Sequence, residues 1–521
     1  MPTSEEATVS FPVLPLNGMF GLVPSEAIPP GGSPDMVNCF VRGDTLRKRP
    51  GNARLGPQVA AAGRVMGLFS CEDKDANPHL FVSTETEVKR LTETTWTTLS
   101  GPTLTGGPEN LFSWRVSQNS VVFSQGVDRV MRAPFLGDIY AVLSGDCPPA
   151  KYLERFADRL YLANTIESAA REPFRIRRCV NGDHTDWTGV GSGFNDLAEY
   201  PYHIRGMSKQ GSQLLIGCSG ALWLASRTGL AEAPARFDPV APGAGILSGY
   251  TLTPIQNNHA YLGMDHFYVF VGNRAVEVGQ QVRDTVFFSL NAAKIHLAFS
   301  ITRPNTQEWL TFICQGASDV TDIIWVWQFH KDIWYPWEAV GHMCAATHRL
   351  AASRIWDSLI GGWDDQTWAW QDPADTLDFN LLITGHQDGY VYKWDEALLS
   401  DNGAAIPCRW TSRDFTASEI AGPEFKNRQL TIRSLGVVYR DSGGDATINI
   451  YFSVDAGASW GGPHPVLLRG NVGGGDKFVR LAFMYTGSRI RWKFEHISAT
   501  ETFRIVQFMP EFEVIGLQAA A

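Results

Sequence analysis

The octapeptide Ser453-Val454-Asp455-Ala456-Gly457-Ala458-Ser459-Trp460 places a carboxylate, two hydroxyls and an indole within eight residues. Two chemistries fit it. Asp455 could be one of the two acids of a glycoside hydrolase, which work as a pair at a fixed separation. Alternatively, Ser453, Asp455 and Ser459 could hydrogen-bond the amides of a tight turn at Gly457, with Trp460 packed beneath the hairpin. The first needs a partner carboxylate that the spacing of the surrounding loops does not supply. The second needs nothing further, so the stretch reads as a structural hairpin staple. Cys179 to Trp187, "CVNGDHTDW", is a looser relative without the same spacing.

Other candidates weaken on inspection. His342, Cys344 and His348 have the donor types of a zinc site, but on a strand these positions share one face, and packing between sheets explains them better. Gly206 to Gln213, "GMSKQGSQ", has two glycines at phosphate-loop spacing without the Gly-Lys-Ser/Thr core, and reads as a hairpin turn. Gly217 to Gly220 misses the nucleophile-elbow pattern by one residue. His386 to Asp395, "HQDGYVYKWD", lacks the alternating acids of a calcium loop and reads as a second hairpin. No catalytic, cofactor-binding or metal-ligating residue is assigned.

The elements that carry these residues are set by composition and repeat. The chain has 521 residues, too many for one ordinary core, with 17 Trp, 29 Phe and 14 Tyr beside 50 Gly and 29 Pro. Aromatics with abundant turn-formers favour short strands. The net charge of -10 has the wrong sign for gripping nucleic acid through its phosphates. Eight cysteines stand singly, without a C-x-x-C pair, as buried thiols of a protein made in a reducing cytoplasm do. The acidic start and the lack of an apolar run near ~18 residues predict a soluble protein not secreted by the usual route.

Short apolar runs recur along the middle of the chain. Taking Met66, Phe112, Tyr152, Ile204, Leu252, Leu297 and Cys344 as markers of first strands, the steps are 46, 40, 52, 48, 45 and 47 residues. A second and a third run follow within most units. Three or four short strands per unit of this length is the rhythm of a propeller blade, whose two faces are covered only by its neighbours. The expectation is an all-β chain with a β-propeller of about seven blades, six to eight being possible, over residues 63–404 with an insertion near 349–376. Two unrelated β-sandwiches are the alternative.

Two flanks lie outside the repeat. Residues 1–62 read as an extended N-terminal arm, Pro- and Gly-rich and then basic at Arg47, Lys48 and Arg49. Those three residues could form either an inter-subunit contact or a solvated turn. Residues 405–521 change rhythm, with Ile448, Ile450 and Phe452 alternating with polar residues, and predict a β-sandwich-like domain.

The octapeptide has the form of an Asp box, best known from sialidases, but those propellers carry several boxes and an arginine cluster, and here the single clean copy lies outside the repeat. Four segments taken in order are similar to another family: "GDTLRKRPG" (43–51), "RLYLANTIESAAREPFRIRRCVNGDHTDWTG" (159–189), "LITGHQDGYVYKWD" (382–395) and "INIYFSVDAGASW" (448–460). Together they resemble the tail nozzle proteins of short-tailed bacteriophages, also called tail tubular or DNA-stabilisation proteins. The resemblance implies a non-enzymatic virion protein without a cofactor, made in the host cytoplasm. It also implies a homohexameric ring below the portal and adaptor, with fibres or spikes as further partners, and genome DNA passing through the channel without specific binding. A receptor- or carbohydrate-binding tail propeller, a sialidase-like hydrolase and an intracellular scaffold propeller are the rival readings.

Overall fold

The computed structural model describes residues 8–514 except 62, 198, 200–201, 350–380 and 471–474. Among these residues the chain forms seven four-stranded antiparallel blades and a two-sheet sandwich. Six blades are continuous in sequence, beginning with strands Val65–Glu72, Ser113–Ser117, Ala150–Phe156, Ile204–Gln210, Thr253–Ile255 and Phe299–Arg303. The seventh uses His342–His348, Leu381–His386 and Val391–Asp395, and takes its outer strand from far upstream, Gly51–Arg54. The insertion expected near 349–376 lies, beyond Arg349, outside the described residues.

The apolar runs lie between blades. Met66 and Phe81 of blade 1 pack with Trp114 and Val121 of blade 2, Val122 of blade 2 with Leu153 and Leu160 of blade 3, and so on around the ring. Closure comes where Val65, Leu68 and Val82 of blade 1 meet Cys344, Ala346 and Ile383 of blade 7. The inner strands of each blade are covered on both faces, which is why the sequence shows apolar runs there rather than strict alternation. All eight cysteines are free thiols, seven of them buried and Cys71 half-buried.

Residues 8–61, expected as part of an extended arm, do not stand free. Cys39–Arg42 and Thr45–Lys48 form a hairpin that continues into Arg504–Val514, Leu430–Arg440 and Asp476–Gly487 to make one sandwich sheet, and Thr8–Ser10 also pairs with Arg504–Val514. Met36–Val37 adds to the other sheet, built from Ala404–Thr411, Arg491–Ser498, Ala446–Ser453 and Gly461–Leu468. The physical reason is that a Pro-rich segment still carries backbone donors and acceptors, and two incomplete sheet edges of the same chain satisfy them. Between the sheets Trp410 stacks on Phe508 at 5.3 Å, and Ile448, Ile450 and Phe452 point inward as their alternation predicts.

Candidate functional site

Arg47, Lys48 and Arg49 sit at the seam between propeller and sandwich. Arg49 is buried: its Nε donates to Asn38 Oδ1 at 2.8 Å, Nη1 to Pro50 O and Asp401 Oδ1 at 3.0 Å each, and Nη2 to Glu338 O at 2.9 Å. Its guanidinium lies 5.4 Å from the centre of the Trp394 ring. Asn38 completes the knot by accepting from the Glu338 amide and donating to Pro407 O, both at 2.8 Å. Lys48 is also buried and donates to the carbonyl of Glu501 at 3.1 Å. The expected inter-subunit contact is therefore corrected for Lys48 and Arg49, whose donors are consumed inside the chain. Arg47 is half-buried, donates to Thr45 Oγ1 at 2.8 Å, and has its pKa lowered to about 10 by burial and then by the neighbouring Arg504.

The octapeptide forms the hairpin between Ala446–Ser453 and Gly461–Leu468. Asp455 Oδ1 accepts from Ser453 Oγ at 2.7 Å and from the Ser459 amide at 2.9 Å, while Ser453 Oγ accepts from the Gly457 amide at 2.8 Å. Gly457 takes φ +93°, a left-handed value that favours glycine. The Ser459 hydroxyl, the Ser453 hydroxyl and the Ser459 amide hold the exposed Asp455 carboxylate down to about pKa 2. A carboxylate so committed is a poor proton donor at neutral pH. Trp460 departs from expectation: it is half-buried, with Lys493 Nζ 4.8 Å from its ring centre, rather than enclosed beneath the turn.

His342, Cys344 and His348 do not converge. A bulge between His342 and Cys344 breaks the alternation. His342 thereby faces blade 6, its ring 6.3 Å from Phe312 and 5.3 Å from Trp394, whereas Cys344 faces blade 1 and bonds the carbonyl of Val65. His348 bonds Ser70 Oγ at 2.8 Å, and burial lowers its pKa to about 4. Among the described residues no three His, Cys, Asp or Glu side chains stand close enough to hold a metal ion. Gly211 and Gly389 occupy tight turns at φ +56° and +78°, as expected for "GMSKQGSQ" and "HQDGYVYKWD".

The propeller axis is lined by the first strand of each blade. At the end where the chain enters the blades, the linkers reach across it. The Tyr250 hydroxyl, between blades 4 and 5, donates to Leu111 O, before blade 2, at 2.7 Å. Lys294, before blade 6, pairs with Glu109 at 2.7 Å. Tyr250 packs against the clusters of blades 1–2 and 3–4 and lies 5.6 Å from the Tyr152 ring. Beside this plug is a cavity of about 250 Å³ in whose lining Arg115 is the one charged side chain. Arg115 is itself held by both oxygens of the buried Glu154, at 2.8 and 2.6 Å. Nearby, Ser208 Oγ bonds His259 at 2.8 Å, and burial lowers that histidine to about pKa 4. Arg115 and Glu154 thus neutralise each other, whereas the Nδ1 of His259 is buried and has no hydrogen-bond partner among the described residues. A larger hollow of about 400 Å³ opens between blades 3 and 4, lined by strand-end residues including Lys209, Gln213 and Arg227. The Tyr250 plug was not legible from composition or repeat, because a linker tyrosine has no period to betray its long reach.

No protein-family model matches the chain, and no curated protein matches it either. Among solved structures it is similar to the computationally designed protein Ika8, at 10% identity over 69% of this chain and 95% of that one, with a TM-score of 0.37. PorZ, a bacterial surface component of the type-IX secretion system of Porphyromonas gingivalis, matches at 12% identity over 57% of this chain and 37% of its own length, with a TM-score of 0.33. An exo-beta-1,3-galactanase from Phanerochaete chrysosporium matches at 11% identity over 87% and 99%, with a TM-score of 0.25. At such scores none of the three bears on function.

Proposed function

We propose that the chain is a structural virion protein: one subunit of a homohexameric tail nozzle ring that sits below portal and adaptor, encloses the DNA channel, retains the packaged genome and lets it leave on infection. The reading starts from the four ordered segments that resemble that family. The observation that carries it is a sandwich edge left unpaired among the described residues. Asp476–Gly487 is a terminal strand of twelve residues, hydrogen-bonded on one side to Leu430–Arg440. Its outward side chains include Phe478 and Met484, 57% and 66% exposed.

Long, flat, apolar edges invite pairing, and chains that stay apart guard them with proline or charge. The terminal strand of the companion sheet is guarded in this way, by Pro463 and Pro465. Asp476–Gly487 has no proline, carries Asp476, Lys477 and Arg480 towards its start and a bulge opposite Ile432–Ser434, and its occupant in this reading is a second copy of the chain, met head to tail so that the contact closes a ring. The DNA channel is then the space between copies, since Tyr250 and the Lys294–Glu109 pair cross the propeller's own bore. The test is the mass and symmetry of the native particle. A six-fold ring that co-purifies with portal and adaptor, and is lost in Phe478→Asp/Met484→Asp, supports the proposal. A monomer or trimer defeats it, as does a ring indifferent to the double substitution.

A further inference from the structure

Three cations gather on the entry face of the propeller with no carboxylate partner among the described residues. Lys151 and Arg205 are the second residues of the first strands of blades 3 and 4, and Arg171 is the second residue of the third strand of blade 3, just after the Ser168–Ala169 turn. Antiparallel pairing therefore brings all three to the same end. Two shared contacts tie them together. Arg171 donates to the carbonyl of Gly126, and a Cβ at Gly126 would stand 3.3 Å from the Lys151 side chain. Arg171 Nη1 also bonds Asn164 Oδ1 at 2.9 Å, while Asn164 Nδ2 donates to the carbonyl of Ile204, next to Arg205, at 3.2 Å.

The protein orients these cations but does not neutralise them. Among the described residues Arg205 uses Nη1 alone, on the carbonyls of Ile246 and Leu247 at 3.0 and 2.9 Å, leaving its Nε and Nη2 edge without an acceptor there. Lys151 lies beside the Tyr152 ring, and among the described residues no carboxylate pairs with it or with either arginine. Glu109 is taken by Lys294 and His296, and Glu167 by Arg175 and Arg177. Glu172 follows Arg171 on the strand and so faces the other side. Burial, with the two arginines beside it, lowers the Lys151 pKa, which is what an unneutralised cluster does.

We propose that Lys151, Arg171 and Arg205 form an oxyanion site that takes one phosphate-type group, carried as a phosphomonoester on a small molecule. A guanidinium edge and an ammonium fit a tetrahedral dianion, the edge by paired donors and the ammonium as a point charge. A single group fits better than a polymer, because the trio stands on a chain of net charge -10 and the neighbouring Lys294 is already paired with Glu109. The inference is independent of the nozzle reading.

The experiment is calorimetric titration of the full chain at physiological salt with inorganic phosphate, glucose 6-phosphate, glucose and a 12-base-pair duplex. The expected result is saturable binding of phosphate and glucose 6-phosphate at one site per chain, with none of glucose. Arg205→Gln and Lys151→Met should each weaken it at least about tenfold. Because the cations repel one another, Lys151→Met should melt no lower than the parent in phosphate-free buffer, while losing the rise in melting temperature that phosphate gives the parent. Absence of saturable phosphate binding, binding undiminished in both variants, or binding of the duplex alone would each overturn the proposal.

Discussion

Arg49 and Asp401 form an ion pair, Nη1 to Oδ1 at 3.0 Å, where the closing blade runs into the sandwich. Asp401 is also the residue whose backbone pairs with Asn52 of the closing strand, and its Oδ1 accepts from Asn52 Nδ2 at 2.9 Å. One guanidinium thus ties blade 6 through Glu338, blade 7 through Trp394, and the sandwich approach through Asp401. Arg49→Ala leaves Asn38 Oδ1 and two carbonyls short of a donor, and is expected to cost about 3 kcal/mol. Arg49→Lys keeps the charge without the fork and should cost less. Urea unfolding of the single chain measures both. Unchanged unfolding with weakened assembly would return Arg49 to an inter-subunit role.

The Asp455 hairpin should be acid-sensitive in a narrow window. The folded carboxylate titrates at about 2, below its ordinary value near ~4, so its stabilisation is complete above ~pH 4 and disappears as pH falls through about 2. Hydrogen exchange of the 453–460 segment, corrected for intrinsic rates, should be flat from pH 7 to about 5 and loosen below about 4. Asp455→Asn should flatten that profile, and an unchanged profile in the variant would refute the assignment. Trp460→Ala should cost only about 1 kcal/mol, the scale of a half-buried ring under one cation.

The blades were legible because burial between sheets leaves a local trace. Met66, Tyr152, Ile204 and Cys344 all fall within first strands, and Phe112 and Leu252 one residue before theirs. What escaped was non-local. Nothing in "GNAR" announces that Gly51–Arg54 is the outer strand of a blade whose other strands begin at His342, because ring closure is decided by where the chain's two ends meet. Basic residues at 47–49 looked like a surface patch because charge in sequence carries no record of depth, and Arg49 is buried only through partners at 338 and 401. The bulge after His342 similarly reversed a face that a strict period of two had assigned.

Tyr250 should be a structural plug whose hydroxyl and ring contribute separately. Tyr250→Phe removes the bond to Leu111 O and leaves that carbonyl without its donor, a loss of about 1 kcal/mol. Tyr250→Ala also empties the space beside Tyr152 and should cost about 3 kcal/mol. Denaturant midpoints of the two variants test the order. Equal midpoints would place the whole effect in the hydroxyl, contrary to this account.

A conduit must let DNA slide, and every phosphate neutralised by the wall adds salt-sensitive affinity that opposes passage. Six copies at -10 each make a basic lumen costly to arrange, because positive charge would have to be segregated against the average. The wall of the proposed ring should therefore be acidic or neutral, formed by turns and loops that vary in charge without disturbing packed sheets. Lys48 and Arg49 are already withdrawn from it by burial. The assembled ring is expected to show no saturable binding of duplex DNA at physiological salt, and only weak retention at low salt that fades as salt is added. Fluorescence anisotropy of a labelled duplex across a salt series makes the measurement. Tight binding at physiological salt, or a strongly positive sum of axis-facing side chains in the assembled particle, would defeat the conduit reading.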